Sequence, residues 1–179
     1  MIYYTKGNLF ESNADVLVNP VNCVGAMGAG IAQQFAKRFP ELEDAYKQRC
    51  LSNKIHPGDV WCFQTEDLDI LNVATKNHWR DESKLEWVDK GLMQIADILE
   101  VGNYASVAIP ALGCGLGRLK WEDVKYLIKE HLGELTGINI FVFEPNSYKF
   151  SRRKRPFRPN PTRGDRDDEP EAVDGVAIK

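Results

Sequence analysis

Residues 16–40 read VLVNPVNCVGAMGAGIAQQFAKRFP, and three kinds of local structure follow one another within them. Val16–Asn19 is a compact apolar run of the kind a buried strand shows. Residues 21–30, VNCVGAMGAG, form a loop carrying Gly25, Gly28 and Gly30. From there Ile31, Ala32, Phe35, Ala36 and Phe39 recur at helical spacing, and Pro40 marks a stop. The stretch therefore predicts a strand, a glycine-rich turn and a helix in direct succession. Such a turn lets backbone N–H groups approach an anion closely while the helix dipole favours negative charge, so phosphate or pyrophosphate is the natural ligand. The glycine order is GxxGxG rather than the GxGxxG of dinucleotide-binding folds, no acidic residue ends a second strand about 20 positions later, and the GK[ST] of a nucleotide-hydrolase loop is missing.

The same succession recurs downstream. Ser106–Pro110 reads as a short strand, ALGCGLGRL (111–119) as a second glycine loop, and Val124, Leu127, Ile128 and Leu132 as the apolar face of a helix. Between the two units, a short helix is expected with Leu42, Ala45 and Tyr46 inward, then strands over Val60–Thr65 and Ile70–Ala74 separated by the acidic turn EDLD. Ser83 and Glu86 match a capping box, opening a helix whose apolar face is Leu85, Val88, Leu92, Ile95, Ala96 and Leu99. Strands over Ile2–Tyr4 and Ile138–Phe143 begin and end the pattern. Alternating strands and amphipathic helices imply an α/β fold with helices packed on a largely parallel sheet. Two glycine loops at the carboxyl ends of neighbouring strands would grip one ligand from opposite sides, and two loops suit two phosphates.

Composition narrows the class. The chain has 179 residues, 43% hydrophobic and 27% charged, enough for one ordinary domain and an extension. No apolar run approaches the roughly 20 residues that cross a bilayer, and the N-terminal MIYYTKGNLF does not resemble a secretory signal, so a cytoplasmic protein with no membrane partner is expected. Cys23, Cys50, Cys62 and Cys114 lack CxxC or zinc-site spacing and read as reduced structural thiols, with Cys114 a minor chemical candidate because it lies in a glycine loop. No metal site and no redox cofactor are expected. A net charge of −3 argues against a basic footprint over the whole surface. The charge is nevertheless uneven: SRRKRPFRPNPTRG (151–164) carries six Arg/Lys and three prolines, and DRDDEPEAVD (165–174) carries six acidic residues. The division expected is a folded domain over 1–148 and a disordered charged tail over 149–179.

GNL near the start, VNPVNCVGAMGAGIAQQF, TKNHWR and IPALGCGLGRLKW together resemble the macrodomain family, over about residues 1–145. The likeness is strongest to the branch that contains the DarG antitoxins and the terminal ADP-ribose protein glycohydrolase. It implies a three-layer αβα fold around a mixed sheet, with ADP-ribose as ligand or product across the strand ends. By position, Asn8 and Leu9 stand where the family contacts the adenine end. Many members have aspartate in place of Asn8, and an amide oxygen can accept the same bond without charge. Asn22 stands at the distal-ribose pocket, Gly28, Ala29, Gly30 and Ile31 line the diphosphate and distal ribose, and Gly113, Cys114, Gly115, Leu116 and Gly117 close over the other side.

Lys76 stands at the catalytic lysine of the glycohydrolase branch, whose amine attacks the distal ribose C1″. Such attack needs a neutral amine, and the apolar strand before Lys76, with His78 and Arg80 nearby, suits a lowered pKa. For a lysine at random the competing reading is a solvated surface residue. The human-type glycohydrolase has aspartate where this chain has Gly117, and DarG-like members have glycine there. The resemblance thus points to ADP-ribose on a DNA base, single-stranded DNA being the expected form, and to a DarT-like toxin as the counterpart. Lys76 would then either attack C1″ or, as an acid or fixed charge, assist departure of the base. His78 is a candidate proton shuttle, and Trp79 and Arg80 are candidates to stack on or clamp a nucleobase, packing being the alternative for both rings. Trp61, Trp87 and Trp121 read as core or groove-edge residues. Arg152–Arg166 either contacts DNA phosphates or only solubilises the chain. The competing functions are hydrolysis of ADP-ribosylated protein or ADP-ribose esters, and non-catalytic reading of ADP-ribose.

Overall fold

In the computed structural model, which describes residues 1–146, six strands form one sheet: β1 (Ile2–Thr5), β2 (Val16–Asn22), β3 (Val60–Gln64), β4 (Asp69–Lys76), β5 (Ser106–Pro110) and β6 (Asn139–Phe143). Their spatial order is β1-β6-β5-β2-β4-β3. Every neighbouring pair is parallel except β3 on β4, so the sheet is mixed, with one antiparallel edge. The tail expected over 149–179 lies outside the described residues.

Helices α1 (Gly30–Arg38) and α2 (Pro40–Leu51) cover one face, and α3 (Leu85–Val101) and α4 (Trp121–Leu132) the other. The layering follows from period-two alternation along strands that are apolar on both sides. In β2, Val16 and Val18 enter a core with Val88, Leu92, Ile95, Val124 and Ile128. Leu17 and Val21 enter the opposite core with Phe35, Leu42 and Tyr46. The expected αβα sandwich is the observed one. Pro40 is both the stop and a start: it occupies the first turn of α2, where its missing N–H is not needed.

The capping box expected at Ser83 is a correction. Helix α3 begins at Leu85 with Lys84 at the cap and no side-chain cap bond, and Glu86 lies 3.9 Å from the Lys84 ammonium. Ser83 instead donates its backbone N–H to the Gly117 carbonyl at 3.0 Å, which turns its side chain toward the second glycine loop. Leu85, expected inward, is exposed, while Val88, Leu92, Ile95 and Leu99 are buried as the spacing required. Helix α2 is longer than the short helix expected, and β2 and β4 extend to Asn22 and Lys76.

The consequence for function lies in the sheet order. Strands β5, β2 and β4 are adjacent and parallel, so their carboxyl ends share one edge. The loop after β2 carries the first glycine cluster, the loop after β5 the second, and β4 ends on Lys76.

Candidate active site

The first loop is built around Asn22. Its side-chain oxygen accepts from the amides of Val24 (3.2 Å) and Ala26 (3.1 Å), and its Nδ2 donates to the Ala26 carbonyl (2.7 Å). From α2, the buried Tyr46 hydroxyl donates to the Asn22 carbonyl at 3.1 Å. Asn22 is therefore a brace for the loop, with one Nδ2 hydrogen left over. The Cys23 amide is shared between the carbonyls of Lys76 and Asn77, each at 3.1 Å, tying this loop to the end of β4.

Helix α1 opens with Ala29 at its cap and no side-chain cap bond. Among the described residues, the amides of Gly28 to Ile31 donate in no loop or capping backbone bond, and Gly28, Ala29 and Gly30 are exposed, so the first turn faces outward with its donors open. Gly30 has φ +60°, a left-handed conformation that glycine adopts without penalty. A Cβ placed on it would stand 3.9 Å from a Leu116 methyl, so the two glycine loops approach each other here.

In the second loop the amides of Gly115, Leu116 and Gly117 likewise make no backbone bond among the described residues, whereas that of Cys114 donates to the Ala111 carbonyl at 3.1 Å. The Cys114 side chain is 3% exposed, and burial pushes its thiol up to about 12. Its reading as a chemical candidate is thereby corrected: a buried, protonated thiol packs in the core and does not attack. Gly117 is buried, and a Cβ on it would overlap both the Gly113 carbonyl oxygen and the Ser83 hydroxyl.

Lys76 joins these loops. It pairs across the sheet with Asn22, one position out of step with the preceding pair Val21 and Ala74, so Thr75 is an extra residue that bulges β4 just before the lysine. A bulge re-aims the side chain that follows it. Lys76 Nζ donates to the Leu116 carbonyl at 2.9 Å and to the Trp79 carbonyl at 3.4 Å. Its pKa lies below the usual lysine value, first because of partial burial; the Arg118 guanidinium adds to this, while Asp81 and Glu82 oppose it. The expected depression is present, with Arg118 rather than His78 or Arg80 as the contributing cation. Arg118 is held in turn by Glu82 at 2.8 Å.

His78, Trp79 and Arg80 form their own surface cluster. The His78 and Trp79 rings lie 5.3 Å apart, the Arg80 guanidinium lies 4.6 Å from the Trp79 ring centre, and the Arg80 amide donates to His78 Nδ1 at 3.2 Å. Trp79 is half exposed, and with Leu116 and Val24 it supplies exposed apolar surface on the loops of this edge. Asn8 caps the 3-10 turn Leu9–Glu11 through its side-chain oxygen, and Leu9 is buried where that turn packs on β5. An open cleft of about 630 Å³ abuts the loop after Lys76, lined by Asn77, Asp81, Glu82, Ser83, Lys84 and Trp87 together with Pro57. Of the remaining tryptophans, Trp61 packs against Tyr46 and Arg49, and Trp121 reaches Glu144. Among the described residues no three His, Cys, Asp or Glu side chains gather as a metal site would require. Sequence reasoning missed the Thr75 bulge, the Tyr46 brace, Arg118 and the placement of Ser83. Only the buried position of Tyr46 was legible.

The family model described as Macro domain matches residues 18–128. The chain belongs to the macrodomain family. A DNA ADP-ribosyl glycohydrolase of Mycobacterium tuberculosis is 40% identical to this macrodomain over 150 residues, covering 82% of this chain and 43% of the relative. This macrodomain therefore spans less than half the length of that relative. The solved macrodomain of Mycobacterium tuberculosis DarG superposes with a TM-score of 0.79 at 39% identity, covering 82% of this chain and 99% of that one. Thermosipho africanus DarTG in complex with ADP-ribose superposes with a TM-score of 0.76 at 28% identity, covering 80% of this chain and 41% of that one.

Proposed function

We propose that this macrodomain binds ADP-ribose between its two glycine loops and removes it from ADP-ribosylated bases of single-stranded DNA, with Lys76 as the catalytic side chain. The observation that carries the reading is the meeting of three strand ends. The loops carrying the unbonded amides of residues 28–31 and 115–117 lie at the same sheet edge as Lys76, whose amine donates to the Leu116 carbonyl in one of those loops. Two sets of backbone donors suit a diphosphate, and an amine beside them is placed to act on the sugar that the diphosphate holds. Asn22 shapes the first loop and offers its remaining N–H to the distal ribose. Asn8 and Leu9 take the adenine end, and Trp79 with Arg80 supplies an exposed surface for the nucleobase.

Two roles for Lys76 fit this placement. As a neutral amine it attacks C1″, the bond to the base breaks, and water later releases ADP-ribose. As an ammonium it stabilises or protonates the departing base while water attacks C1″. Neither route calls on a metal or a redox cofactor. The similarity to DNA ADP-ribosyl glycohydrolases supports DNA as substrate, and a DarT-like transferase as the activity that places the modification. A role in DNA repair, antitoxin-like, and a cytoplasmic setting follow from that substrate. The deciding experiment compares wild type with Lys76→Ala on ADP-ribosylated single-stranded DNA, ADP-ribosylated protein and ADP-ribose esters at matched concentrations. DNA should be cleaved fastest, and the variant should lose activity by at least about a hundredfold. Preferential ester cleavage would move the substrate to protein. Tight ADP-ribose binding without turnover of any conjugate would make the domain a reader.

A further inference from the structure

Ser83 is 6% exposed, and its hydroxyl has no hydrogen-bond partner among the described residues. It is not a loose surface residue. Its Cβ lies 3.0 Å from the place a Cβ on Gly113 would take, and its hydroxyl fills the place of a Cβ on Gly117. Its backbone N–H holds the Gly117 carbonyl at 3.0 Å. The serine is thus wedged into the mouth of the second glycine loop, in a gap that exists because both glycines lack side chains.

Alanine would keep the Cβ contact and the backbone bond without burying an idle hydroxyl, so packing alone does not account for serine. The hydroxyl faces the loop whose amides at 115–117 are open and whose Leu116 carbonyl holds the Lys76 amine. The segment carrying Ser83 is bound to that loop twice more, through Glu82 to Arg118 at 2.8 Å and through Lys76 between the Trp79 and Leu116 carbonyls. Movement in one segment is therefore felt in the other.

We propose that Ser83 is a positioning residue: its hydroxyl gains a hydrogen bond to the backbone of residues 113–117 when that loop takes up a diphosphate, and it thereby sets the Leu116 carbonyl that holds the Lys76 amine. The inference rests on the proposed ADP-ribose reading. It assigns the idle hydroxyl to the ligand-bound state rather than to the stability of the free protein.

Ser83→Ala tests it with three measurements on the full chain: melting temperature without ligand, ADP-ribose affinity by calorimetry, and the pH profile of turnover. The variant should melt at or above the wild-type temperature without ligand, bind ADP-ribose about threefold to tenfold more weakly, and displace the limb of the pH profile that reports Lys76. Wild-type affinity together with a wild-type pH profile would overturn the proposal. So would a lower melting temperature without ligand at unchanged affinity, the mark of an ordinary structural serine. If wild type itself does not bind ADP-ribose, the functional reading falls and this inference with it. If wild type binds and Ser83→Ala matches it, the inference alone falls.

Discussion

At the scale of single residues, the proposed chemistry rests on Lys76, and Gly117 sets the space beside it. The two roles open to Lys76 have opposite pH signatures. Its pKa lies below the usual lysine value because burial, helped by Arg118, disfavours the ammonium. If the neutral amine attacks, kcat rises with pH through that lowered pKa; if the ammonium assists departure, kcat falls through it. A kcat profile over roughly pH 6 to 10, the range around a depressed lysine, separates them. Lys76→Arg sharpens the result, since a guanidinium keeps the charge but cannot act as the nucleophile. At Gly117 any Cβ meets both the Gly113 carbonyl oxygen and Ser83. Gly117→Asp should therefore cost about 1–3 kcal/mol of stability by overpacking and weaken ADP-ribose binding, rather than add a working carboxylate. Thermal melts and calorimetry read both effects, and a variant of wild-type stability and affinity would contradict the steric account.

Elements set where those residues stand. The turn between β2 and α1 depends on Asn22, which makes three hydrogen bonds to its own loop and receives Tyr46 on its carbonyl. Asn22→Ala should lower stability by about 1–3 kcal/mol and raise the Kd for ADP-ribose by roughly tenfold, because open amides bind an anion well only when already aligned. An unchanged Kd would remove the loop from the binding site. Ahead of β3, Asp59 accepts from Lys90 at 2.7 Å and from the His56 amide at 2.8 Å, clamping that turn to α3. Burial opposes ionisation of Asp59, but Lys90 and His56 outweigh it and hold the carboxyl below its usual pKa. Its contribution to stability is therefore present above the ordinary aspartate pKa and is lost as pH falls through the depressed value. Asp59→Asn should flatten that acid limb in melts taken across pH. In the same helix α3, the fully buried Leu92 gives a test of the core: Leu92→Ala should cost about 2–5 kcal/mol.

For the molecule as a whole, the basic segment 152–166 makes a separable prediction. A chain ending at residue 148 should keep the melting temperature and ADP-ribose affinity of the full chain. It should lose part of the salt-dependent affinity for single-stranded DNA, visible as a shallower slope of log K against log salt. Equal slopes would leave that segment without a role in binding DNA. What the amino-acid sequence determined by itself is what is periodic or local: apolar runs on both faces of β2 and β4, the helical face of α3 from Val88 to Leu99, and two glycine loops each following a strand. The motifs around Lys76 and Gly113–Gly117 also pointed to the family, because the resemblance rests on local runs of residues. Only the tertiary structure decided that β5, β2 and β4 lie side by side, that Thr75 bulges and turns Lys76 toward Leu116, that Arg118 rather than His78 adds to the depression of the lysine pKa, and that Ser83 leaves its expected cap to fill the gap between two glycines. The reason is physical: periodicity records which face of an element is apolar, whereas these placements depend on strand order and on steric gaps between residues distant along the chain.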